Sequence, residues 1–241
     1  MIPHAQPKSV RRVYSMPGDD RLYEMFTKYV FVTVKQAQQA LDCKFDYINV
    51  RLRRLAENGY LGRVQQNDFS EFLYFLSEQG ALKAIERGAT NHKRYVQKKS
   101  PMQLPHEKGI TDCQLLFSKH FDGAEFRRWR TDLQKDFDGE VPDLFFDLKD
   151  GTGWCPMEYE RMNPVSREKL ADYAKHFSRT YVIVQTTRRV EMLLASIEDT
   201  LNTQRLWFTS VDLFSKNPTG KIWWTPRNFR DRAYSILKPE S

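Results

Sequence analysis

The residues that could do chemistry cluster between Pro142 and Glu160. Pro142-Asp143 opens an apolar run, Leu144 to Leu148, with Phe145 and Phe146 at its centre. Lys149-Asp150-Gly151-Thr152-Gly153 then reads as a turn, and Trp154 to Tyr159 as a second strand running into Glu160. Side chains alternate along a strand, so Glu158 and Glu160, two apart, point the same way. A hairpin brings Asp143 beside them. Three converging carboxylates repel one another unless a cation sits between them, and Mg²⁺ or Mn²⁺ is the cation that suits oxygen ligands. That layout is suited to metal-assisted cleavage of a phosphodiester. Asp147 shares the Asp143 face but lies about 13 Å further along an extended strand, too far to share one ion.

These strands sit within a longer pattern. Lys108 to Phe121 reads as a helix and Glu125 to Thr131 as a strand. Ser166 to Phe177 is a helix, Tyr181 to Gln185 a buried β-branched strand, Arg189 to Leu201 a helix and Leu206 to Thr209 a strand. Ile222-Trp223-Trp224 reads as an edge strand. The order α-β-β-β-α-β-α-β implies an α/β (α+β) sandwich with a mixed sheet.

The first hundred residues are built differently. Asp19 or Asp20 can cap a helix to about Val30, Thr33 a short one to Leu41, and Asp42-Cys43-Lys44 turns into a third, Phe45 to Asn58. Leu61 to Val64 and Glu71 to Leu76 are short strands around Gln65 to Ser70. A closing helix, Glu78 to Arg87, is expected to turn Leu82 and Ile85 inward. Helix-turn-helix followed by a hairpin is a winged helix-turn-helix arrangement. Its third helix carries Lys44, Asn49, Arg51, Arg53 and Arg54, the side-chain types that read and grip a DNA major groove.

Charge agrees with that division. Residues 1–100 hold 17 Lys and Arg against 10 Asp and Glu, and the rest hold 21 of each, so the whole +7 excess lies in the first part. Such asymmetry points to nucleic-acid binding there. Arg11 and Arg12, in a Pro-punctuated leading arm, could touch phosphate. Trp223, Trp224 and the basic end around Arg227, Arg230 and Arg232 could serve DNA or a protein partner. The expected domains are 19–90, a winged-helix DNA-binding domain, 91–105, a basic Pro-containing linker, and 106–235, the catalytic domain.

Several chemistries are disfavoured. Cys43, Cys113 and Cys155 stand far apart with no C-x-x-C pair, and the five histidines show no H-x-H or H-E-x-x-H spacing. A thiolate zinc site and a histidine-held metal are therefore not expected. With 40% hydrophobic residues, no apolar run of 18 and no signal-peptide core, the expectation is a folded cytoplasmic bacterial protein without membrane insertion.

A Pro-Asp on one strand and paired acids on the next resembles the PD-(D/E)xK restriction-endonuclease-like nucleases. That resemblance implies that Asp143 and Glu158 ligate the metal and that a lysine positions or activates water. Here Glu160 stands in the lysine slot, giving E-x-E. Lys169 on the following helix can supply the amine, or Glu160 can act as base or ligand. The winged helix, the Pro142-Asp143-Leu144 strand, Glu158-Tyr159-Glu160-Arg161 and the Lys169-Leu170-x-x-Tyr173 helix together resemble the replication-relaxation family, and within it MobC-type (MOBC class) plasmid mobilisation relaxases. The resemblance spans roughly residues 20–225. It implies site-specific nicking of double-stranded DNA at an origin of transfer, with an accessory mobilisation protein and a coupling ATPase as partners. The implied site is Asp143, Glu158, Glu160 and Lys169, the first three also binding Mg²⁺ or Mn²⁺. His106, Glu107, Asp112 and Arg161 flank it, and Tyr159 and Tyr173 are the nearest tyrosines. The competing reading is a DNA-binding transcription or replication regulator with an inactive nuclease-like domain. An enzyme making double-strand breaks would share the same site.

Overall fold

A computed structural model describes residues 19–65, 71–96, 103–129, 140–161, 165–197 and 202–227. The arm with Arg11 and Arg12, most of the turn at 65–70, and Arg230 and Arg232 lie outside these residues.

The first unit comprises α1 (Asp19–Lys28), α2 (Val34–Leu41), α3 (Phe45–Glu57), β1 (Leu61–Val64), β2 (Leu73–Leu76) and α4 (Glu78–Glu86). Each helix buries one apolar stripe: Leu22, Tyr23, Met25 and Phe26 from α1, Ala37 and Leu41 from α2, and Ile48, Leu52 and Leu55 from α3. Thr33 and Gln36 form a reciprocal capping box at the start of α2, satisfying two otherwise orphaned N–H groups. Asp42 takes the left-handed conformation that ends α2 and admits the tight turn to α3. β1 and β2 pair antiparallel, Leu61 opposite Leu76, and Val32 adds a single bridge to Tyr74.

Two side-chain orientations differ from expectation. Leu82 and Ile85 face solvent, at 53% and 36% exposure, and α4 buries Gly80, Ala81 and Ala84 instead. The backbone comes so close that a Cβ on Gly80 would meet the Tyr60 carbonyl at 1.9 Å. Only the small-residue face fits there. Arg51 likewise points inward, 4% exposed, and pairs with Asp19 through Nε–Oδ1 at 2.7 Å and a second guanidinium contact.

The second unit runs α5 (Leu104–His120), β3 (Glu125–Arg127), β4 (Leu144–Asp147), β5 (Cys155–Glu160), α6 (Arg167–His176), β6 (Thr180–Val184), α7 (Thr187–Ser196), a 3₁₀ turn (Thr203–Arg205), β7 (Leu206–Ser210) and α8 (Val211–Lys216). The helix expected from Lys108 starts at Leu104, because Pro105 suits a first turn, where no N–H is required. The sheet is mixed, in the order β3-β4-β5-β6-β7, antiparallel up to β5 and parallel from β5 to β7. Trp224 extends it by one bridge to Phe208.

Strand alternation divides the core. Met157, Tyr159, Tyr181 and Ile183 pack under α5 and α8 with Phe117, Phe146 and Phe214. Val182, Val184 and Phe208 turn the other way, against Leu170 of α6 and Val190, Leu193 and Leu194 of α7.

The two units share a packed junction. Thr111 donates to the Phe31 carbonyl at 2.7 Å, Trp129 Nε1 to the Thr27 carbonyl at 2.8 Å, and Gln36 Nε2 to Asp112 Oδ1 at 2.7 Å. Val30, Phe31 and Leu73 meet Leu104 in an apolar cluster beside them. No helix among the described residues is long and apolar enough to cross a membrane.

Candidate active site

Glu158 lies near the C-terminal end of β5, and Asp143 stands just before β4. The antiparallel register pairs Leu144 with Met157, so continuing it by one residue sets Asp143 level with Glu158. Asp143 Oδ2 accepts the Tyr159 N–H at 2.8 Å, and Oδ1 lies 3.0 Å from His106 Nε2 on the first turn of α5. Glu158 Oε1 lies 2.9 Å from Lys169 Nζ and accepts the Tyr173 hydroxyl at 2.9 Å. Lys169 is thus brought to the acid pair from α6, whose start is fixed by Ser166 accepting the Lys169 N–H at 3.1 Å.

Glu160 shares the Glu158 face but has different partners. Its carboxylate takes the Arg189 guanidinium from α7 and the Val165 N–H at 3.2 Å. The three carboxylates expected to converge are therefore divided, Asp143 with Glu158 and Glu160 with Arg189. Among the described residues no group of three or more His, Cys, Asp and Glu is gathered closely enough to hold a metal ion. Asp147 is occupied by Lys149, through the backbone N–H at 2.8 Å and Nζ at 3.1 Å.

Electrostatics reflect the crowding. Burial first, and the Asp143 charge second, push the Glu158 carboxyl up to about 8, against the opposing pull of Lys169 and Tyr173. Burial works to raise Asp143 as well, but His106, the Tyr159 N–H and Lys169 outweigh it and hold that carboxyl below its usual range. Burial would lower His106, and the Asp143 carboxylate reverses this, leaving the imidazole above its ordinary value. Two adjacent carboxyls, one reluctant to ionise, form a site that gains from a cation. Asp143 and Glu158 are the two carboxylates here that could offer oxygen donors to a divalent ion, with Lys169 beside Glu158.

The nearby tyrosines are not free nucleophiles. Tyr173 is fully buried and its hydroxyl is engaged by Glu158 and the Glu140 carbonyl, at 2.9 and 2.8 Å. Tyr159 projects to the opposite face of the sheet, its ring against Gly109 and its hydroxyl accepting Gln185 Nε2 at 3.4 Å. Of the flanking residues, Glu107 is locked to buried Arg128 at 2.7 Å, and Asp112 accepts from Lys108 and Gln36 at the junction. His106 reaches the site because α5 starts at Leu104. Arg189 was not singled out by sequence reasoning, since a contact 29 residues from Glu160 follows only from how α7 packs.

Lys44, which caps the start of α3, and Arg53 and Arg54 on it are exposed and Asn49 is half-buried, whereas Arg51 belongs to the interior. Arg53 also approaches Glu57 at 3.7 Å, and Phe45, Tyr47 and Val50 are exposed on the same helix.

No curated protein and no solved structure matches the chain at a significant level. The model of the replication-relaxation family matches residues 24–189, more than half of the 241-residue chain. That span takes in α3, Asp143, Glu158, Glu160, Lys169 and Arg189, so the chain belongs to the replication-relaxation family, which points to a role in plasmid replication or mobilisation.

Proposed function

We propose that this protein is a MobC-type mobilisation relaxase, binding origin-of-transfer DNA and nicking one strand in a metal-dependent reaction. The observation that carries this reading is the Asp143–Glu158–Lys169 group: two carboxylates set level by one hairpin and an amine 2.9 Å from the second. It has the components of a PD-(D/E)xK nuclease site, with the lysine delivered from α6. Asp143 and Glu158 would hold Mg²⁺ or Mn²⁺. Such an ion would supply Lewis-acid polarisation of the scissile phosphoryl group and a lowered pKa for a water nucleophile. Tyr159 N–H and His106 orient Asp143, and Lys169 keeps a positive charge where phosphate oxygens would approach. With the Tyr173 hydroxyl buried and bonded to Glu158 and Tyr159 on the opposite face of the sheet, a hydrolytic nick suits these residues better than attack by either tyrosine.

The first unit supplies DNA binding in this reading. Its helix order, the hairpin after α3 and the Val32–Tyr74 bridge suit a winged helix, with Lys44, Asn49, Arg53 and Arg54 as the DNA-facing set. The accessory mobilisation protein and coupling ATPase belong to the same proposal.

The test is nicking of supercoiled plasmid carrying the DNA that flanks the protein's own coding sequence, with Mn²⁺ or Mg²⁺. Open-circular product is expected from the wild type and none from Asp143→Asn or Glu158→Gln, with DNA binding retained by both. Equal nicking by these variants would falsify the site; linear product would indicate double-strand cutting.

A second reading has its own support. The Glu158–Lys169 and Glu160–Arg189 pairs neutralise the acids without an ion, as in a DNA-binding regulator with an inactive nuclease-like domain. Absence of any melting-point rise with Mn²⁺, together with tight specific DNA binding, would favour it.

A further inference from the structure

Tyr173 and Lys169 stand one helical turn apart on α6 and reach the same two places. Tyr173 Oη lies 2.9 Å from Glu158 Oε1 and 2.8 Å from the Glu140 carbonyl oxygen. Lys169 Nζ lies 2.9 Å from the same Glu158 oxygen and 3.2 Å from the Val141 carbonyl oxygen. Glu140 and Val141 lead directly into Pro142-Asp143. We propose that Tyr173 is a positioning residue of the nicking site, its one hydroxyl proton shared between Glu158 and the Glu140 carbonyl of the backbone segment that carries Asp143, so that it helps to fix the separation of the two carboxylates. This rests on the nicking reading above.

The need for such a tie follows from where the strands end. The β4–β5 ladder stops at the pair Leu144–Met157, so Asp143 lies beyond regular pairing. Its own side chain is held toward β5 and α5, by the Tyr159 N–H and His106. The chain on its N-terminal side is held from α6, by Tyr173 and Lys169. Lys169 also faces the site as a charge, whereas Tyr173 is fully buried and cannot reach a substrate. The ring packs edge-on to Phe177 at 6.0 Å, so a phenylalanine keeps the packing and removes only the hydroxyl.

The experiment compares wild type, Tyr173→Phe and Tyr181→Phe as full-length proteins. Tyr181 is an equally buried tyrosine whose hydroxyl takes Arg179 Nη1 at 2.9 Å, remote from the acids. Readouts are nicking of the supercoiled plasmid described above, binding of that DNA, Mn²⁺ affinity by calorimetry, and melting point. Tyr173→Phe is expected to bind DNA as wild type does, while kcat and Mn²⁺ affinity each fall about 10- to 100-fold, the usual effect of removing a group that orients a metal ligand. Tyr181→Phe should leave both unchanged. Wild-type kcat and Mn²⁺ affinity in Tyr173→Phe would overturn the positioning role and leave the nicking reading standing. A melting point so reduced that DNA binding also disappears would overturn it too, by assigning Tyr173 to stability alone. A wild type that neither binds Mn²⁺ nor nicks removes the nicking reading and this role with it.

Discussion

Lys169 Nζ lies 2.9 Å from Glu158 Oε1, with the two side chains 15% and 5% exposed. The amine that the E-x-E sequence lacks on β5 thus reaches the site from the next helix. A buried pair of this kind is costly to break from one side, because the remaining charge has no water to turn to. Lys169→Met is expected to lower stability by about 3 kcal/mol near pH 9, where Glu158 is ionised. The loss should shrink toward pH 6, as Glu158 takes up a proton. Nicking should fall at least as far as in Glu158→Gln. Denaturant melts at the two pH values check the first part; a pH-independent loss would mean the pair is not the source.

The raised Glu158 pKa carries its own pH signature. A carboxyl that titrates at about 4.5 when unfolded and about 8 when folded binds more protons in the folded state between those values. Stability contributed by this group therefore declines as pH rises from about 4.5 to 8 and is level above that. His106, also raised, has the same sign, its contribution fading as pH climbs through its folded pKa. Asp143, lowered, acts oppositely, and its contribution disappears only in acid. Glu158→Gln should flatten the decline across neutral pH, measured as the melting point from pH 5 to 9. A variant with an unchanged slope would place the titration elsewhere.

How far the site could be seen in the sequence depends on the distance over which each contact is set. Asp143 and Glu158 were legible because one hairpin joins them and its register follows from the turn between the apolar runs. Lys169 was legible as a candidate because Ser166 announces the start of its helix. Arg189 was not, because its contact with Glu160 depends on where α7 settles against the sheet. On α4, Leu82 and Ile85 looked like the inner face by hydrophobicity, yet the approach of the Tyr60 carbonyl selected Gly80, Ala81 and Ala84. Size overrode hydrophobicity there. The order of elements along the chain and the mixed sheet followed from alternation and from the Tyr181 to Gln185 run; the strand itself, Thr180–Val184, is buried throughout.

Glu160 distinguishes a third metal ligand from a structural carboxylate. Its pairing with Arg189 from α7, and the Val165 N–H on its other oxygen, give it a structural role without any ion. Glu160→Gln should therefore keep nicking within a few-fold of wild type, while Asp143→Asn and Glu158→Gln abolish it. Arg189→Ala should lower the melting point more than Glu160→Gln, since it strands a carboxylate that is 7% exposed. Single-turnover nicking and thermal melts on the same preparations decide the matter. Loss of nicking in Glu160→Gln at unchanged stability would return Glu160 to the metal.

The arginines of α3 separate in the same way. Arg51 is buried against Asp19, whereas Arg53 and Arg54 are exposed. Arg51→Ala leaves Asp19 charged and enclosed, so it should cost about 3 to 5 kcal/mol of stability. Replacing both partners with apolar residues, as in Arg51→Met with Asp19→Leu, should recover much of that stability, because no buried charge then remains. Arg53→Ala with Arg54→Ala should leave the melting point within a degree or two. If both arginines touch phosphate, the slope of log affinity against log salt should become shallower by about 2, close to one unit for each phosphate that is no longer neutralised. Titrations of origin DNA between low and physiological salt measure that slope directly. An unchanged slope with intact folding would mean that α3 does not face the DNA backbone, and the binding face would then have to be sought on another surface of the first unit.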